Sequence, residues 1–154
     1  MNPTDKLKKM GLILPPPAKP AFNYVPVAIL GDLAFVSGQL PWDNGQIKTV
    51  GSLGATVSVD QGKEAARICA LQSLACLAQA LGSIDRIARI VKLTGFVQSS
   101  PNFHQQPSVI DAASELMIEV FGEDGRHARS AIGVGALPRD ASVELEVIAA
   151  IHPR

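Results

Sequence analysis

The sequence predicts a single α+β domain in the order β-β-α-β-α-β-β, and three local patterns carry that reading. Two apolar runs, Val25–Leu30 and Leu33–Ser37, are separated only by Gly31-Asp32, a two-residue hairpin signal. Ser58-Val59-Asp60-Gln61 forms a capping box, so a long helix should follow and end near Leu81-Gly82. Val143, Leu145, Val147, Ala149 and Ile151 alternate strictly with their neighbours, the period of a strand with one buried face.

The remaining elements fall between these anchors. Residues 1–20 read as an N-terminal extension on the surface of the domain, which spans 21–154. Thr4 is the expected cap of a short helix ending at Gly11, and Pro15-Pro16-Pro17 stiffens the extended segment that follows. Pro41–Gly54 holds Asp43-Asn44-Gly45 and reads as a loop with room for a short strand. Polar residues such as Gln61, Lys63, Glu64, Arg67, Gln72 and Gln79 take a minority of the long helix, so protein should cover most of it. Ile87–Val97 is rich in β-branched residues and reads as a strand, although Arg89, Lys92 and Thr94 do not alternate with its apolar members. Pro107 suits the first turn of a second helix, with Val109, Ala113, Leu116, Met117 and Val120 as its apolar stripe and Gly122 at its end. Ser130–Ala136 is the next strand, and Leu137-Pro138-Arg139-Asp140 turns the chain into the last one.

Composition limits the function. The chain has 154 residues, 47% apolar and 18% charged, so a sizeable core leaves little polar surface, as in a subunit that buries part of its exterior against copies of itself. Net charge is zero and no basic run exceeds Lys8-Lys9, so no nucleic-acid partner is expected. Cys69 and Cys76 fall on one helix face roughly 10 Å apart, too far for a disulfide. They read as small buried residues in a reducing compartment, and with no signal peptide or membrane-length apolar run the expected location is the cytoplasm. His104, His127 and His152 lack ligand spacing, Gly133-Val134-Gly135 lacks the third glycine of a dinucleotide fingerprint, and no metal or cofactor is expected.

Two places stand out chemically. Glu144 and Glu146 share one face of the last strand, and a hairpin-like link through Leu137-Pro138 would bring Arg129 beside them on an adjacent strand. Both a solvated cross-strand ion pair and a ligand site fit that pattern. The run Phe35-Val36-Ser37-Gly38-Gln39-Leu40-Pro41 ends a strand with a hydroxyl, a glycine that permits close approach, and an amide. A plain strand exit and a ligand-facing turn both fit it.

Taken together, Phe35–Pro41, Val91–Val97, Ala128-Arg129-Ser130 and Leu137-Pro138-X5-Glu144-X-Glu146-X-Ile148-Ala149 resemble the RidA/YjgF family in order over residues 22–152. Val120–Ala131 and the extended N-terminus are similar to a longer, less characterised branch. The resemblance implies a chorismate-mutase-like fold, one mixed sheet against two helices, and a homotrimer with ligand sites at the subunit clefts. It implies hydrolysis of small carboxylate-bearing enamines and imines such as 2-aminoacrylate. Other members bear the names endoribonuclease or translation inhibitor, and a non-catalytic carboxylate-binding role is the alternative. Carried over, Arg129 grips the carboxylate, Glu144 polarises a water, Tyr24 closes over the ligand and Ser37 ends the second strand at the site. Two positions depart from the pattern: Ala131 stands where active deaminases carry cysteine, and Asp111 where they carry asparagine. A carboxylate at Asp111 repels an anionic ligand unless it is protonated or turned away.

Overall fold

The computed structural model describes residues 1–154. The first helix, α1 (Pro3–Lys9), begins two residues earlier than the sequence suggested. Asn2 is its cap, accepting from the Asp5 amide at 2.8 Å, because Pro3 has its φ set for the first turn and has no amide to satisfy. Thr4 instead lies inside the helix, and its amide donates to Asp85 Oδ1 at 2.9 Å. Leu7 is buried, while Leu12 and Leu14 pack against the core.

Strands β1 (Val27–Leu30) and β2 (Leu33–Gln39) form the expected hairpin, with Leu30 opposite Leu33 and Gly31 at φ +58° in the turn. Asn44 and Gly45, both at positive φ, close a small separate ribbon of β3 (Trp42–Asp43) and β4 (Gln46–Ile47). Both bonds of the capping box are made at the start of α2 (Val59–Leu81): Gln61 N to Ser58 Oγ at 3.2 Å and Ser58 N to Gln61 Oε1 at 2.9 Å. Ala65, Ala66, Cys69, Ala70 and Ser73 are fully buried along it, and such small side chains let the helix lie close to the sheet. Both cysteines are buried and unpaired. Gln72 is buried rather than solvated, donating to the Trp42 carbonyl at 3.2 Å.

Strand β5 (Ile87–Gln98) runs antiparallel to β7 (Val143–Ile151) with two register shifts, at Ile87/Arg89 and Ile90/Lys92. The shifts explain its broken alternation: Arg89, Lys92 and Thr94 pair with Ala150, Ile148 and Glu146, all on the face away from the helices. Helix α3 (Gln106–Phe121) buries its predicted stripe and carries the chain over to β6 (Ala128–Val134), which lies parallel to β5. The sheet order is β1-β2-β7-β5-β6, with α2 and α3 covering one face.

One expectation about neighbours fails here. Arg129 and Glu144 are not on adjacent strands, because β5 lies between β6 and β7. A strand entered by a helical crossover pairs in parallel at the sheet edge, so the Leu137-Pro138 link spans the end of β5 instead of closing a hairpin. The uncovered face carries Leu33, Phe35 and Ile132 at 37, 40 and 45% exposure. No helix is long and apolar enough to cross a membrane.

Candidate functional site

A cavity of about 430 Å³ opens where β2 leaves the sheet. Val36 pairs with Val147 and Gln39 with Leu145, so Ser37 and Gly38 together oppose Glu146 in a bulge. The glycine leaves room for a side chain of β7. A Cβ built on Gly38 would lie 2.7 Å from Glu144 Oε1, so the carboxylate rests where any other residue would put a side chain. The Ser37 hydroxyl donates to the Val25 carbonyl at 2.6 Å and its amide to the Pro26 carbonyl at 2.9 Å, fastening the segment that carries Tyr24 against the bulge. Buried Gln39 donates to the Ser37 carbonyl at 2.9 Å and locks the shape from below.

Glu144 is half-buried. Burial raises its carboxyl above the ordinary range, and neighbouring Glu146 pushes the same way. Such a group exchanges protons more readily near neutral pH than an exposed glutamate does.

Arg129 is placed differently. It pairs with Leu93 across β5–β6, and its Nη1 donates to Asp111 Oδ1 at 2.6 Å and Ser114 Oγ at 3.2 Å, both on α3. Both bonds use one terminal nitrogen, so the Nη2 and Nε edge of the fork makes no bond within the subunit. The Asp111 carboxylate is therefore turned onto the arginine. Burial lowers the pKa of His127; its bond to the Ala128 carbonyl works against this, and the charge of Arg129 adds to the lowering. Ala131 occupies the next helix-facing position of β6 and packs partly against the core.

The six predicted site residues thus divide. Tyr24, Ser37 and Glu144 line one cavity, while Arg129, Asp111 and Ala131 cluster on the far side of β5. The cavity also holds three residues that the sequence reading passed over: Lys19, Trp42 and Arg139. The Arg139 guanidinium sits 5.0 Å from the centroid of the Trp42 ring. The available signal was that the chain's single tryptophan directly follows the Ser-Gly-Gln-X-Pro run. No group of three or more His, Cys, Asp or Glu side chains is placed to hold a metal ion.

Comparison with known proteins agrees with this architecture. The family model described as "YjgF/chorismate_mutase-like, putative endoribonuclease" matches residues 4–150. Protein TCP17 of Trypanosoma cruzi is 46% identical over 147 residues, covering 95% of this chain and 92% of that protein. The structure of Atu1372 from Agrobacterium tumefaciens, a protein of unknown function, superposes with a TM-score of 0.90 at 45% identity, over 97% of this chain and 92% of that one. TdcF of E. coli, solved with bound serine, superposes with a TM-score of 0.62 at 25% identity, over 90% and 94% of the two chains. With the family model matching residues 4–150 and both sequence and fold shared over nearly the whole length with these relatives, the chain belongs to the YjgF/RidA family.

Proposed function

We propose that the protein hydrolyses small imines and enamines that bear a carboxylate, at a cleft completed by a second copy of the chain. The observation that carries the reading is Glu144: a half-buried carboxyl of raised pKa, held over Gly38 in a cavity beside Tyr24. In the reaction, Glu144 takes a proton from water as the oxygen bonds to the imine carbon. Glu144 returns that proton to the nitrogen to give a carbinolamine, then carries the hydroxyl proton to the nitrogen as the C=O forms and the C–N bond breaks, and a ketoacid and ammonia leave. An enamine first accepts a proton at its β-carbon and enters as the imine. The open edge of the Arg129 fork suits a substrate carboxylate, which it binds in planar, bidentate fashion. TdcF holds an amino acid, and this supports a small carboxylate as the ligand class.

Within one subunit β5 separates the two groups, so a site that uses both would pair Arg129 of one copy with Glu144 of another. The uncovered sheet face with Leu33, Phe35 and Ile132 is the surface such an association would bury, and a homotrimer with three equivalent clefts is the assembly we propose. The test is ammonia release from freshly generated imines. Arg129→Ala and Glu144→Gln should each lower the rate by about 10²-fold or more, and a mixture of the two variants, unfolded and reassembled together, should recover part of it. Full activity in either single variant overturns the assigned role, and no recovery on mixing overturns the shared site.

The bond between Arg129 and Asp111 favours a second reading, a metabolite-binding protein without turnover, because part of the cation is already neutralised. Stabilisation by ketoacids with no imine hydrolysis would select it. The family description also includes endoribonuclease, but a net charge of zero offers no general attraction to RNA phosphates.

A further inference from the structure

We infer that Arg139 and Trp42, together with Lys19, form a second recognition subsite in the Glu144 cavity, one that takes a carboxylate at the far end of the ligand. This deepens the hydrolase reading by naming its substrate class: imines of amino acids whose side chain itself ends in an acid.

The first argument is backbone strain. Arg139 and Asp140 adopt φ of +58° and +57°, two consecutive non-glycine residues in the left-handed region. Such a conformation persists only where its surroundings enforce it, and it collects at functional sites. Here the enforcing group is buried Gln98, whose Nε2 donates to Asp140 Oδ1 at 2.6 Å and whose Oε1 accepts from the Leu137 amide at 2.7 Å. The Gly51 amide, donating to the Asp140 carbonyl at 2.9 Å, holds the turn from the other side. The arrangement directs the neighbouring acid to Gln98 and leaves Arg139 on the cavity wall.

The second argument is pairing. Arg67, Arg126 and Arg129 each meet a carboxylate and Arg86 and Arg89 each donate to a backbone carbonyl, whereas Arg139 makes neither contact; Lys19, like Lys6, Lys9, Lys63 and Lys92, has no carboxylate within 4.0 Å. Arg139 instead lies over Trp42, which is fixed by the Gln72 amide on its carbonyl. Stacking occupies a face of the guanidinium and leaves the N–H donors at its edge available, the geometry that recognises a planar carboxylate. Lys19, on the proline-stiffened arm, supplies a second positive charge to the same space.

The third argument is polarity. Glu144 and Glu146 put negative charge on one wall of the cavity, and Lys19 and Arg139 put positive charge on another. A ligand with a protonated nitrogen at the reacting centre and an anionic tail matches both. A cavity of about 430 Å³ also falls in the range that encloses molecules larger than a three-carbon imine.

The test is calorimetric titration of the full-length protein with glutarate and with butyrate, beside the Arg139→Gly and Lys19→Ala variants. Glycine adopts the left-handed conformation freely, so the turn survives its introduction. The wild type should bind glutarate about tenfold more tightly than butyrate, or better, as expected for one added charge-assisted contact. Arg139→Gly should bring glutarate down to the butyrate level without changing butyrate, and Lys19→Ala should weaken glutarate less. Equal affinities in the wild type, binding of neither acid, or an equal loss of both in Arg139→Gly would overturn the subsite. Imine hydrolysis without glutarate preference would leave the hydrolase standing and remove the subsite. Arg139-dependent glutarate binding without hydrolysis would do the reverse.

Discussion

The two faces of β7 divide the work of the molecule. Val143, Leu145, Val147 and Ala149 point at the helices and are at most 1% exposed, while Glu144 and Glu146, one position away, point to the other side and line the cavity. A strand with period two can therefore place a core residue and a cavity-lining carboxylate next to each other in sequence and on opposite sides of a sheet. Substitutions at neighbouring positions should then act on different quantities, stability on one face and turnover on the other.

That division can be broken or sharpened by experiment. Leu145→Ala should have the largest effect, a loss of about 2–5 kcal/mol from a fully buried leucine, read as a lower urea midpoint. Two glycines then compare the faces directly. Gly95 points inward, where the buried Ile110 side chain fills the space, so Gly95→Ala should cost about 1–3 kcal/mol. Gly38 faces the carboxyl end of the Glu144 side chain, so Gly38→Ala should cost less than about 1 kcal/mol yet displace the carboxylate and lower the proposed imine turnover about tenfold or more. Comparable stability losses in the two variants would contradict the division.

The titrating groups give the smallest effects. The folded pKa of Glu144 is raised above 4.5, chiefly by burial, so the native state holds this proton more tightly than the unfolded chain. The resulting stability is fully present below the ordinary value and is lost as pH rises through the folded one. Glu144→Gln has no such loss and should gain thermal stability relative to wild type as pH rises above 4.5. His127 shows the opposite sign. Its folded pKa lies below 6.5, again chiefly through burial, so stability is present above that value and is lost as pH falls beneath it. His127→Gln should flatten the acid side of a melting-temperature profile, and an unchanged profile would show that the imidazole stays solvated.

What was legible in the sequence was local. The Gly31-Asp32 turn, the Ser58–Gln61 box and the alternation of 143–151 each encode their own geometry within a few residues, and each forms as expected. The separation of Arg129 from Glu144 was not legible in the same way. It depends on where the α3 crossover deposits β6, and strand order is a property of the whole sheet. The mixed pattern of Arg89, Lys92 and Thr94 hid two register shifts, which need a partner strand to exist at all. The first cap was misplaced by two residues because Pro3 permits the helix to start immediately after Asn2. Arg139 escaped notice for a related reason: nothing in Leu-Pro-Arg-Asp signals left-handed residues, and Gln98, which holds them, lies far away in the chain. Ser37 and Glu144 stood out through a strand-exit motif and one strand face, and Tyr24 only through the family resemblance; all three line the same cavity.

The buried cysteines have a consequence for chemical durability. Cys69 and Cys76 are the only thiols in the chain. Burial pushes Cys76 up to about 11, and burial together with the charge of Glu144 raises Cys69 well above its usual value. Alkylation and oxidation both begin from the thiolate, which neither residue supplies at neutral pH. The folded chain thus offers electrophiles no reactive sulfur, and if it turns over imines and enamines as proposed, its lifetime among them should be set by unfolding rather than by covalent damage.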